Sequence, residues 1–434
     1  MQKLTINQTK NIKATIHVPG DKSISHRAIM LGAIAKGKTV VENFLMSADC
    51  LATIECFRKM GVEIQMPNAE CLMPNEGKII IKGKGLKGLK RPEGILDVGN
   101  SGTTMRLMTG ILAGQGFTSE ITGDKSIQKR PMGRVAVPLQ QMGADFGSEG
   151  EIFAPFKVFG RKLKGMTYEL PVASAQVKSA ILLAGLYADG ETTVIEKITS
   201  RDHTERMLEH FGLRISKTGN EIRVTGNEEF SGAEVDVPGD ISSAAFFMVA
   251  GLLIPNSEIK IMNVGVNPTR TGIIDVLHRM GANIEVQNER IISGEPRADI
   301  IVRTSELGAI KIDGEIIPRI IDEIPIIAVA ATQAQGVTEI RGAKELRVKE
   351  SDRIKTVAAE LRKFGAQIEE LGDGLRIYGT TTLKGSTIQS YGDHRIAMAM
   401  SIAGLVATGK TVIEETECVE TSFPGFEELL TSLV

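Results

Sequence analysis

The residue types that could bind or transform an anionic ligand are concentrated in a few short segments of this sequence. Each segment lies just before an apolar pattern that predicts an α-helix. The segments are residues 20–27, 99–106, 174–179, 321–325 and 392–395. A helix N-terminus presents unpaired backbone N–H groups and the positive end of the helix dipole, and both favour a negative ligand. Several such ends predict a site for a small molecule that carries phosphate and carboxylate groups.

The first segment, residues 20–27, reads Gly-Asp-Lys-Ser-Ile-Ser-His-Arg. It places Lys22 and Ser23 at the predicted helix cap and Arg27 about one helical turn later, so a phosphate would meet both cations and backbone N–H groups. A solvated lysine beside a serine that only caps the helix would give the same pattern. We expect the neighbouring His26 to be structural.

Two further segments offer hydrogen-bond donors at helix starts. Residues 99–106 read Gly-Asn-Ser-Gly-Thr-Thr-Met-Arg, and Gly102 would let a ligand approach the backbone closely. In residues 174–179, Ser-Ala-Gln-Val-Lys-Ser, the apolar positions leave Ser174 and Gln176 free to donate hydrogen bonds. Helix capping alone is the alternative for both segments.

The second half of the chain adds carboxylates and more cations. Asp322 precedes a very apolar predicted helix, and residues 392–395, Gly-Asp-His-Arg, precede another. Residues 347–353 read Arg-Val-Lys-Glu-Ser-Asp-Arg, with Ser351 as the predicted cap of the following helix. An isolated charge run of this kind is usually a solvated loop. In the first half, Arg130 adds a further cation.

The overall composition excludes a protein that binds polyanions such as DNA. The chain has 51 Lys and Arg residues against 53 Asp and Glu residues, and a net charge of -2 supplies no field to hold nucleic acid. Aromatic residues make up 4% and Trp is absent, which leaves little for base stacking. A hydrophobic content of 42% is ordinary for a folded globular protein.

The sequence predicts neither a metal site nor contact with a membrane. The four cysteines, Cys50, Cys56, Cys71 and Cys418, show no Cys-x-x-Cys spacing and suggest no disulfide framework, so a reducing cytosol fits them best. Residues 1–13 lack the apolar core of a signal peptide, and the longest apolar stretch is shorter than a membrane span. We therefore expect a cytoplasmic protein.

Two phrases recur along the chain and predict its architecture. The first phrase is Met or Phe, then Gly, then a strand-like alternation, and its copies begin at Met60, Met142, Phe211, Met280 and Phe364. Its Gly lies where a helix C-cap is expected. The second phrase is a glycine before a β-branched strand, at Gly37, Gly116, Gly190, Gly336 and Gly409, with Asn256 instead of glycine in another copy. Six copies of about 72 residues are indicated.

Each copy reads strand, helix, strand, helix, strand, strand. The sequence Val-Pro-Gly-Asp opens a helix at residues 18–21 and again at residues 237–240, near the middle of the chain, and predicts a crossover or hinge. We therefore predict an α/β protein with two similar domains of three units each and a cleft between them. The first domain spans residues 21–239, and the second spans residues 240–434 together with residues 1–20, whose strands should complete its last unit.

Taken in chain order, these motifs resemble the signatures of the EPSP synthase (3-phosphoshikimate 1-carboxyvinyltransferase) family. The matching segments are residues 20–27, 99–104, 129–132, 347–353 and 393–395. The Ser-Ala-Gln motif of Gln176 is more similar to the second bacterial class of this family than to the first. The resemblance implies an inside-out α/β barrel of βαβαββ units in each of two domains, which agrees with the repeat. It also implies a monomer without a cofactor or metal.

The activity that the resemblance implies is transfer of the enolpyruvyl group of phosphoenolpyruvate to the 5-hydroxyl of shikimate 3-phosphate. Phosphate leaves, and 5-enolpyruvylshikimate 3-phosphate forms in the shikimate pathway to chorismate and the aromatic amino acids. The implied ligands of shikimate 3-phosphate are Lys22, Ser23, Arg27, Ser174, Ala175, Gln176, Ser200, Arg201, Asp322 and Lys349. Those of phosphoenolpyruvate are Lys22, Gly102, Arg130, Gln176, Arg353 and Arg395. Arginine suits these groups because its planar fork donates two parallel hydrogen bonds.

This reaction needs one base and one acid but no enzyme nucleophile. The resemblance implies that Asp322 takes the hydroxyl proton, that Glu350 transfers the proton at C3, and that Lys22 balances charge on the departing phosphate. An ordinary aspartate, with a pKa of about 3.9, is a weak base for an alcohol, so the transfer should be concerted with bond formation. The sequence leaves open which carboxyl acts in which half-reaction, and whether Lys22 or His394 shares the work.

Two other functions remain open at this stage. The sister enolpyruvyl transferase that acts on UDP-N-acetylglucosamine shares the fold, but it usually has a reactive Cys in the loop corresponding to residues 123–131, where none is present. A non-catalytic sensor of an anionic metabolite would have little use for Asp322 and Glu350.

One departure from the family is that residues 419–424, Val-Glu-Thr-Ser-Phe-Pro, lack the Lys that often contacts phosphoenolpyruvate.

Overall fold

The chain folds into two compact units of repeating α/β structure. The computed structural model describes residues 2–67, 77–147 and 151–434. The N unit consists of Gly20–Val237 with Ile291–Glu295, and the C unit consists of Met1–Pro19, Pro238–Arg290 and Pro296–Val434. Three sheets belong to each unit.

Strands and helices alternate along the described chain in the predicted order. The strands are β1 (Lys3–Asn7), β2 (Lys13–His17), β3 (Lys36–Glu42), β4 (Glu63–Gln65), β5 (Ile79–Lys84), β6 (Leu96–Asp97), β7 (Thr118–Thr122), β8 (Phe156–Phe159), β9 (Thr167–Glu169), β10 (Glu191–Ile195), β11 (Ile215–Thr218), β12 (Glu221–Thr225), β13 (Glu234–Asp236), β14 (Glu258–Gly265), β15 (Asn283–Ile292), β16 (Glu295–Arg303), β17 (Lys311–Ile312), β18 (Gly336–Ile340), β19 (Gln367–Leu371), β20 (Gly374–Gly379), β21 (Thr387–Gln389) and β22 (Lys410–Glu414). The α-helices are α1 (Lys22–Ile34), α2 (Ala48–Lys59), α3 (Gly102–Ala113), α4 (Gly133–Gln141), α5 (Ala175–Gly185), α6 (His203–His210), α7 (Ile241–Leu253), α8 (Gly272–Arg279), α9 (Ile317–Ile320), α10 (Ile324–Gln333), α11 (Arg353–Lys363), α12 (His394–Val406) and α13 (Phe426–Ser432).

All six sheets follow one plan. The strand orders are β13-β3-β5-β4, β6-β7-β8 and β9-β10-β12-β11 in the N unit, and β2-β14-β16-β15, β17-β18-β20-β19 and β21-β22-β1 in the C unit. In each order the first two strands are parallel, and antiparallel strands complete the sheet. Parallel neighbours require a crossover, and here the crossover is a helix such as α3 or α5. The predicted βαβαββ fold is confirmed.

Two strands exchange places between the first and fourth repeats. β2 directly precedes α1 in sequence but pairs with β14, whereas β13 precedes α7 but pairs with β3. The repeated Val-Pro-Gly-Asp sequence therefore marks the two points where the chain leaves one sheet for another. This corrects the expectation that both N-terminal strands complete the last repeat. β1 does so beside β22, but β2 joins the first sheet of the C unit.

Three helices in each unit are buried on nearly all sides. In the C unit α7, α10 and α12 contact one another, and in the N unit α3 contacts both α1 and α5. Every residue of α7 except the last is buried, as expected for a helix that is apolar all round. Strands such as β1 and β12 alternate between more and less buried residues, so each sheet covers the helices with one face.

The glycines of the first recurring phrase end helices as predicted. Gly61, Gly143, Gly212, Gly281 and Gly365 all have positive φ angles, from 84° to 103°. This left-handed conformation is costly for residues with a Cβ. In the copy of the second phrase that lacks glycine, Asn256 adopts φ 52°, so asparagine keeps the conformation although the sequence signal is weaker.

Helices α3 and α5 approach each other so closely that their backbones touch. A Cβ atom on Gly110 of α3 would lie 2.2 Å from the carbonyl oxygen of Ala180 on α5. No side chain larger than hydrogen fits there, so Gly110 fixes the separation of the two helices. The N-terminal turns of both helices carry predicted binding residues.

In the described part of the chain, no helix is both long enough and apolar enough to cross a membrane. Cys50, Cys56 and Cys418 have free thiols, and Cys71 lies outside the described residues. No group of three or more His, Cys, Asp or Glu residues is placed to hold a metal ion within these ranges.

A buried ion cluster joins α5 to α6. The ammonium group of Lys178 lies 2.8 Å from Glu196 and 2.7 Å from Glu205, and all three side chains are at most 6% exposed. Burial lowers the pKa of Lys178, but the two carboxylates outweigh this effect and raise it above its usual value. Glu196 also accepts a hydrogen bond of 3.1 Å from the backbone N–H of Ser200. The cluster thereby holds the loop between β10 and α6.

Replacing Lys178 with Met should lower the free energy of unfolding by about 3–5 kcal/mol, because two buried carboxylates would lose their counter-charge. Urea denaturation followed by circular dichroism measures the loss. Lys217→Met, at an exposed position of β11, is the matched control and should change stability by less than about 0.5 kcal/mol. Equal stability of the two variants would contradict a holding role for the cluster.

Candidate active site

The N-terminus of α1 presents Lys22 beside a carboxylate. Asp21, and not Ser23 as expected, caps the helix by accepting a 2.9 Å hydrogen bond from the Ile24 N–H. Lys22 follows the cap, and its ammonium group lies 3.1 Å from Asp49 on α2. Its side chain remains 20% exposed, so Lys22 is fixed in direction but still reachable by a ligand.

Arg27 is held by three oxygen atoms from three parts of the N unit. It donates hydrogen bonds of 2.7 Å to Thr204, 2.9 Å to Ser179 and 2.9 Å to the carbonyl oxygen of Ser23. Burial, which leaves the residue 4% exposed, lowers the pKa of Arg27 to about 10 despite nearby carboxylates such as Glu205. The guanidinium still carries its charge at neutral pH, and its orientation is fixed.

His26 belongs to a chain of hydroxyl groups that links α1, α2 and α3. Its Nδ1 atom lies 2.7 Å from Thr53, which lies 2.6 Å from Thr104, and Thr104 lies 2.6 Å from Ser101. The imidazole is completely buried, and its Nε2 atom has no hydrogen-bond partner among the described residues. Burial, with smaller contributions from Lys22 and Arg27, lowers the pKa of His26 well below 6.5.

At the N-terminus of α3, Gly102 leaves room for Arg130. Ser101 caps the helix by accepting the Thr104 N–H at 3.1 Å. A Cβ atom on Gly102 would lie 3.3 Å from Nη1 of Arg130, closer than most such contacts. Arg130 follows the short 3₁₀ helix Ile127–Lys129 and is half-buried. The structure therefore places this cation beside the first turn of α3, and a cation next to a helix N-terminus suits an anion.

Helix α5 begins with the predicted Ser-Ala-Gln motif. Ser174 is the N-cap residue and accepts the Val177 N–H at 3.4 Å, so Ala175 and Gln176 form the first turn. The amide of Gln176 is bound to α3, because Arg106 donates to its Oε1 atom and its Nε2 atom donates to Thr103 at 3.1 Å.

The loop before α6 places the other two predicted ligands of the N unit. Ser200 is 5% exposed, and its hydroxyl donates to Glu196. That proton is directed into the buried ion cluster and is not available to a ligand in this structure. Arg201, the next residue, is half-buried.

In the C unit, Arg353 gathers three carboxylates. Its Nε and Nη2 atoms donate to Asp393 at 2.8 and 3.1 Å, Nη2 also donates to Glu350 at 2.6 Å, and Nη1 donates to Asp322 at 3.4 Å. Arg353 is 1% exposed, and burial lowers its pKa, but the carboxylates raise it above the usual value. Burial by itself would raise the pKa of Asp393, but the charge and hydrogen bonds of Arg353 outweigh this effect and lower it below the usual value. Both members of the pair are therefore ionised.

Asp322 stands among cations at the start of α10. Its carboxylate lies 3.7 Å from the Lys349 ammonium group and 3.4 Å from Arg353, and its carbonyl oxygen accepts a hydrogen bond of 3.1 Å from Arg395. The Nη1 atom of Arg395, which donates this hydrogen bond, also lies 3.9 Å from the carboxylate of Glu323, a residue that is 1% exposed. The two carboxylates predicted to move protons, Asp322 and Glu350, thus contact one buried guanidinium.

The cap of α11 differs from the prediction. Asp352, and not Ser351, accepts the first helical hydrogen bond, from the Lys355 N–H at 3.1 Å. Ser351 instead donates to Asp393 at 2.9 Å and so helps to hold Arg353.

The C-terminal segment that departs from the family pattern lies beside α12. Thr421 ends the 3₁₀ helix Thr416–Thr421, donates to the carbonyl oxygen of Cys418 at 2.7 Å, and lies 3.4 Å from Nδ1 of His394. The Thr421 hydroxyl therefore lies next to His394, in the segment that lacks the Lys expected from the family resemblance.

Within each unit the structure brings the predicted residues to the N-terminal ends of buried helices or to the adjoining loops. Several partners were not predicted, namely Asp49, Thr103, Arg106, Ser179, Thr204 and Glu323. Arg106 could have been found, because it lies four residues after Gly102 on the same helix face. Asp49 offered no signal, since it is distant in sequence from Lys22.

Comparison with known proteins identifies close relatives over the whole chain. The family model described as EPSP synthase (3-phosphoshikimate 1-carboxyvinyltransferase) matches residues 6–430. The chain is 55% identical to a 3-phosphoshikimate 1-carboxyvinyltransferase of Desulforamulus reducens over 432 residues, 99% of each chain. It is 55% identical to that of Bacillus cereus over 435 residues, 100% of each chain. A structure of EPSP synthase from Acinetobacter baumannii matches with a TM-score of 0.88 at 47% identity, over 100% of this chain and 98% of that one.

The buried His26 predicts a specific pH dependence of stability. Because its pKa is lower in the folded than in the unfolded chain, its contribution is complete above pH 6.5 and is lost as the pH falls. Between pH 6.5 and 5.5, wild type should lose about 1 kcal/mol more than His26→Gln in urea denaturation.

Thr53→Val is the control for this experiment, because it removes the nearer of the two hydroxyl partners of His26 but leaves the imidazole buried and able to titrate. It should keep the wild-type pH slope. The same slope in wild type and His26→Gln would show that burial does not hold this imidazole neutral.

Proposed function

Because the chain belongs to the EPSP synthase (3-phosphoshikimate 1-carboxyvinyltransferase) family, we infer that it transfers the enolpyruvyl group of phosphoenolpyruvate to the 5-hydroxyl of shikimate 3-phosphate. Phosphate and 5-enolpyruvylshikimate 3-phosphate are the products, and the reaction belongs to the shikimate pathway. The observation that carries this inference at the site is the pair Asp322 and Glu350, which contact the same buried Arg353. Two carboxylates on one rigid cation provide a proton acceptor and a proton donor in fixed positions.

The proposed reaction begins with the substrate hydroxyl. Asp322 accepts the hydroxyl proton while the oxygen attacks C2 of phosphoenolpyruvate, and Glu350, which starts the cycle as the neutral acid, delivers its proton to C3. The Glu350 carboxylate then takes a proton back from C3 of the tetrahedral adduct, the C2–C3 double bond re-forms, and the C–O bond to phosphate breaks with its electron pair. The proton held by Asp322 passes to the departing phosphate or to solvent. Lys22 stabilises the negative charge on the departing phosphate. Lys349 and Arg353 balance the charge of Asp322 in the resting site.

We propose that shikimate 3-phosphate binds to the ten residues that the family resemblance implies. The residues are Lys22, Ser23, Arg27, Ser174, Ala175, Gln176, Ser200, Arg201, Asp322 and Lys349. Support comes from the fixed orientation of Arg27 and from the helix N-termini at which Ser23, Ser174 and Gln176 lie. Because the hydroxyl proton of Ser200 goes to Glu196, we propose that Ser200 contributes its backbone or accepts a hydrogen bond.

We propose that phosphoenolpyruvate binds to Lys22, Gly102, Arg130, Gln176, Arg353 and Arg395. The space at Gly102 beside Arg130 supports an approach of the ligand to both. Arg353 is already paired with three carboxylates, so its contribution is to hold Asp322 and Glu350 as much as to contact the ligand. Arg395 is 8% exposed and is oriented by Asp322 and Glu323.

The organisation of the working protein is a further part of the proposal. We propose two domains, residues 21–239 and residues 1–20 with 240–434, a monomeric state, and a cytoplasmic location. The sixfold repeat and the two compact units support the domains. Free cysteines without disulfide-like spacing suit a reducing compartment. The family resemblance supports the monomer, which sedimentation velocity would test.

The assay that tests the function combines the protein with shikimate 3-phosphate and phosphoenolpyruvate. Phosphate should be released only when both are present, and mass spectrometry should detect the enolpyruvyl ether. Consumption of UDP-N-acetylglucosamine instead would favour the sister transferase, although no Cys lies at residues 123–131. Binding of both ligands without turnover would favour a sensor.

Asp322→Asn should bind both substrates nearly as wild type does, because the amide keeps the shape and one acceptor atom of the carboxylate. Its kcat should fall about 10²–10⁴-fold, since the proton acceptor is lost. Isothermal titration calorimetry measures the binding, and the rate of phosphate release measures kcat. Asp313→Asn, at an exposed position of the same unit, is the control and should retain wild-type activity. An active Asp322→Asn enzyme would exclude Asp322 as the base.

A further inference from the structure

The amide of Gln176 has two chemically opposite ends, and only one of them suits an anionic ligand. Its Nε2 atom donates two hydrogen bonds, whereas its Oε1 atom only accepts them. A phosphate or carboxylate oxygen is attracted by the first and repelled by the second. The usefulness of Gln176 to either proposed substrate therefore depends on which way the amide is turned.

We infer that Arg106 is a positioning residue that turns the Gln176 amide so that Nε2 faces the ligand. Arg106 donates to Oε1 of Gln176, and Nε2 donates to Thr103 at 3.1 Å. An arginine side chain has donors only, so a reversed amide would put donor against donor at Arg106. The Thr103 hydroxyl can donate or accept and tolerates either orientation. Arg106 is thus the partner that decides the orientation.

The arrangement leaves one donor of Gln176 for a ligand. Within the described residues, Oε1 bonds to Arg106 and one Nε2 proton goes to Thr103. The second Nε2 proton has no protein acceptor in these contacts. A charged oxygen atom would accept it strongly, because hydrogen bonds to ionised groups are stronger than neutral ones. This inference rests on the proposed function, in which Gln176 contacts both substrates.

Close packing of α3 on α5 makes the contact possible. Thr103 and Arg106 are three residues apart on α3 and therefore lie on the same face. Gly110, four residues after Arg106 on that helix, lets the α3 backbone touch Ala180 of α5. The first turn of α5 is held close enough for both α3 side chains to reach Gln176. No part of this contact depends on a flexible loop.

The test is the kinetic effect of Arg106→Met, a change that keeps an unbranched side chain of similar helix propensity but removes all donors. KM for phosphoenolpyruvate and for shikimate 3-phosphate should rise about tenfold, the size expected when one hydrogen bond to a charged group is lost. The kcat value should change much less, because Asp322 and Glu350 are untouched. Unchanged KM values in a folded Arg106→Met enzyme would overturn the inference.

A double-mutant cycle separates positioning from direct binding. If Arg106 acts only through Gln176, adding Arg106→Met to Gln176→Ala should leave KM where the single Gln176→Ala change put it. A further tenfold rise in the double variant would mean that Arg106 binds the substrate itself, and the positioning role would be rejected.

Thr103→Val is the matched variant on the same face of α3, and it also serves if Arg106→Met fails to fold. Since Thr103 does not decide the orientation, KM should change less than about threefold. A larger rise would transfer the role to Thr103 and overturn the assignment to Arg106. The wild-type assay distinguishes the two levels of the argument, because absence of phosphate release from both substrates would refute the proposed function and not the positioning alone.

Discussion

Burial of charge is the constraint on which this structure depends. Arg27, Lys178, Arg353 and Asp393 are all less than 5% exposed. An isolated charge in such a place would cost several kcal/mol, so each of them is fixed by counter-charges or hydrogen bonds. Their directions are consequently set before any ligand arrives. Groups oriented in advance need little reorganisation during a reaction, and this is a main source of electrostatic catalysis.

Each unit groups its own set of charged residues around the predicted ligands and proton-transfer residues. In the N unit the cations at or next to the predicted ligands are Lys22, Arg27, Arg106, Arg130, Lys178 and Arg201, and the nearby carboxylates include Asp21, Asp49, Glu196 and Glu205. Around the C-unit residues the cations are Lys349, Arg353 and Arg395, against Asp322, Glu323, Glu350 and Asp393. The first group suits retention of anions, whereas the carboxylates of the second suit proton transfer. An anion that meets the second group would be bound by directed hydrogen bonds from Arg395 and Lys349.

The order of helices and strands was predictable from the sequence because the same pattern recurs in each of the repeats. Helix ends at Met60-Gly61 and its counterparts follow from backbone sterics alone, and five copies make the signal hard to miss. The exchange of β2 and β13 was not predictable, because both strands have the same local pattern and only tertiary packing decides their partners. Likewise the cations at the site were visible in the motifs, but their partners, such as Asp49 for Lys22, depend on which helices become neighbours.

The site is linked to the repeat through the way that buried helices begin. A helix enclosed by protein cannot give its first N–H groups to water, so it needs a capping side chain. Five of the six central helices have one, and the caps are Asp21, Ser101, Ser174, Asp240 and Asp393.

In α10 the cap position is Glu323, whose side chain does not cap. Pro325 in the first turn of α10 has no N–H group, so fewer backbone donors require a capping side chain. Since no acid caps α10, the Glu323 carboxylate can face Arg395, and the Asp322 carboxylate can face Lys349 and Arg353. The proposed base therefore lies next to the cap position of the one helix among these six that has no capping side chain.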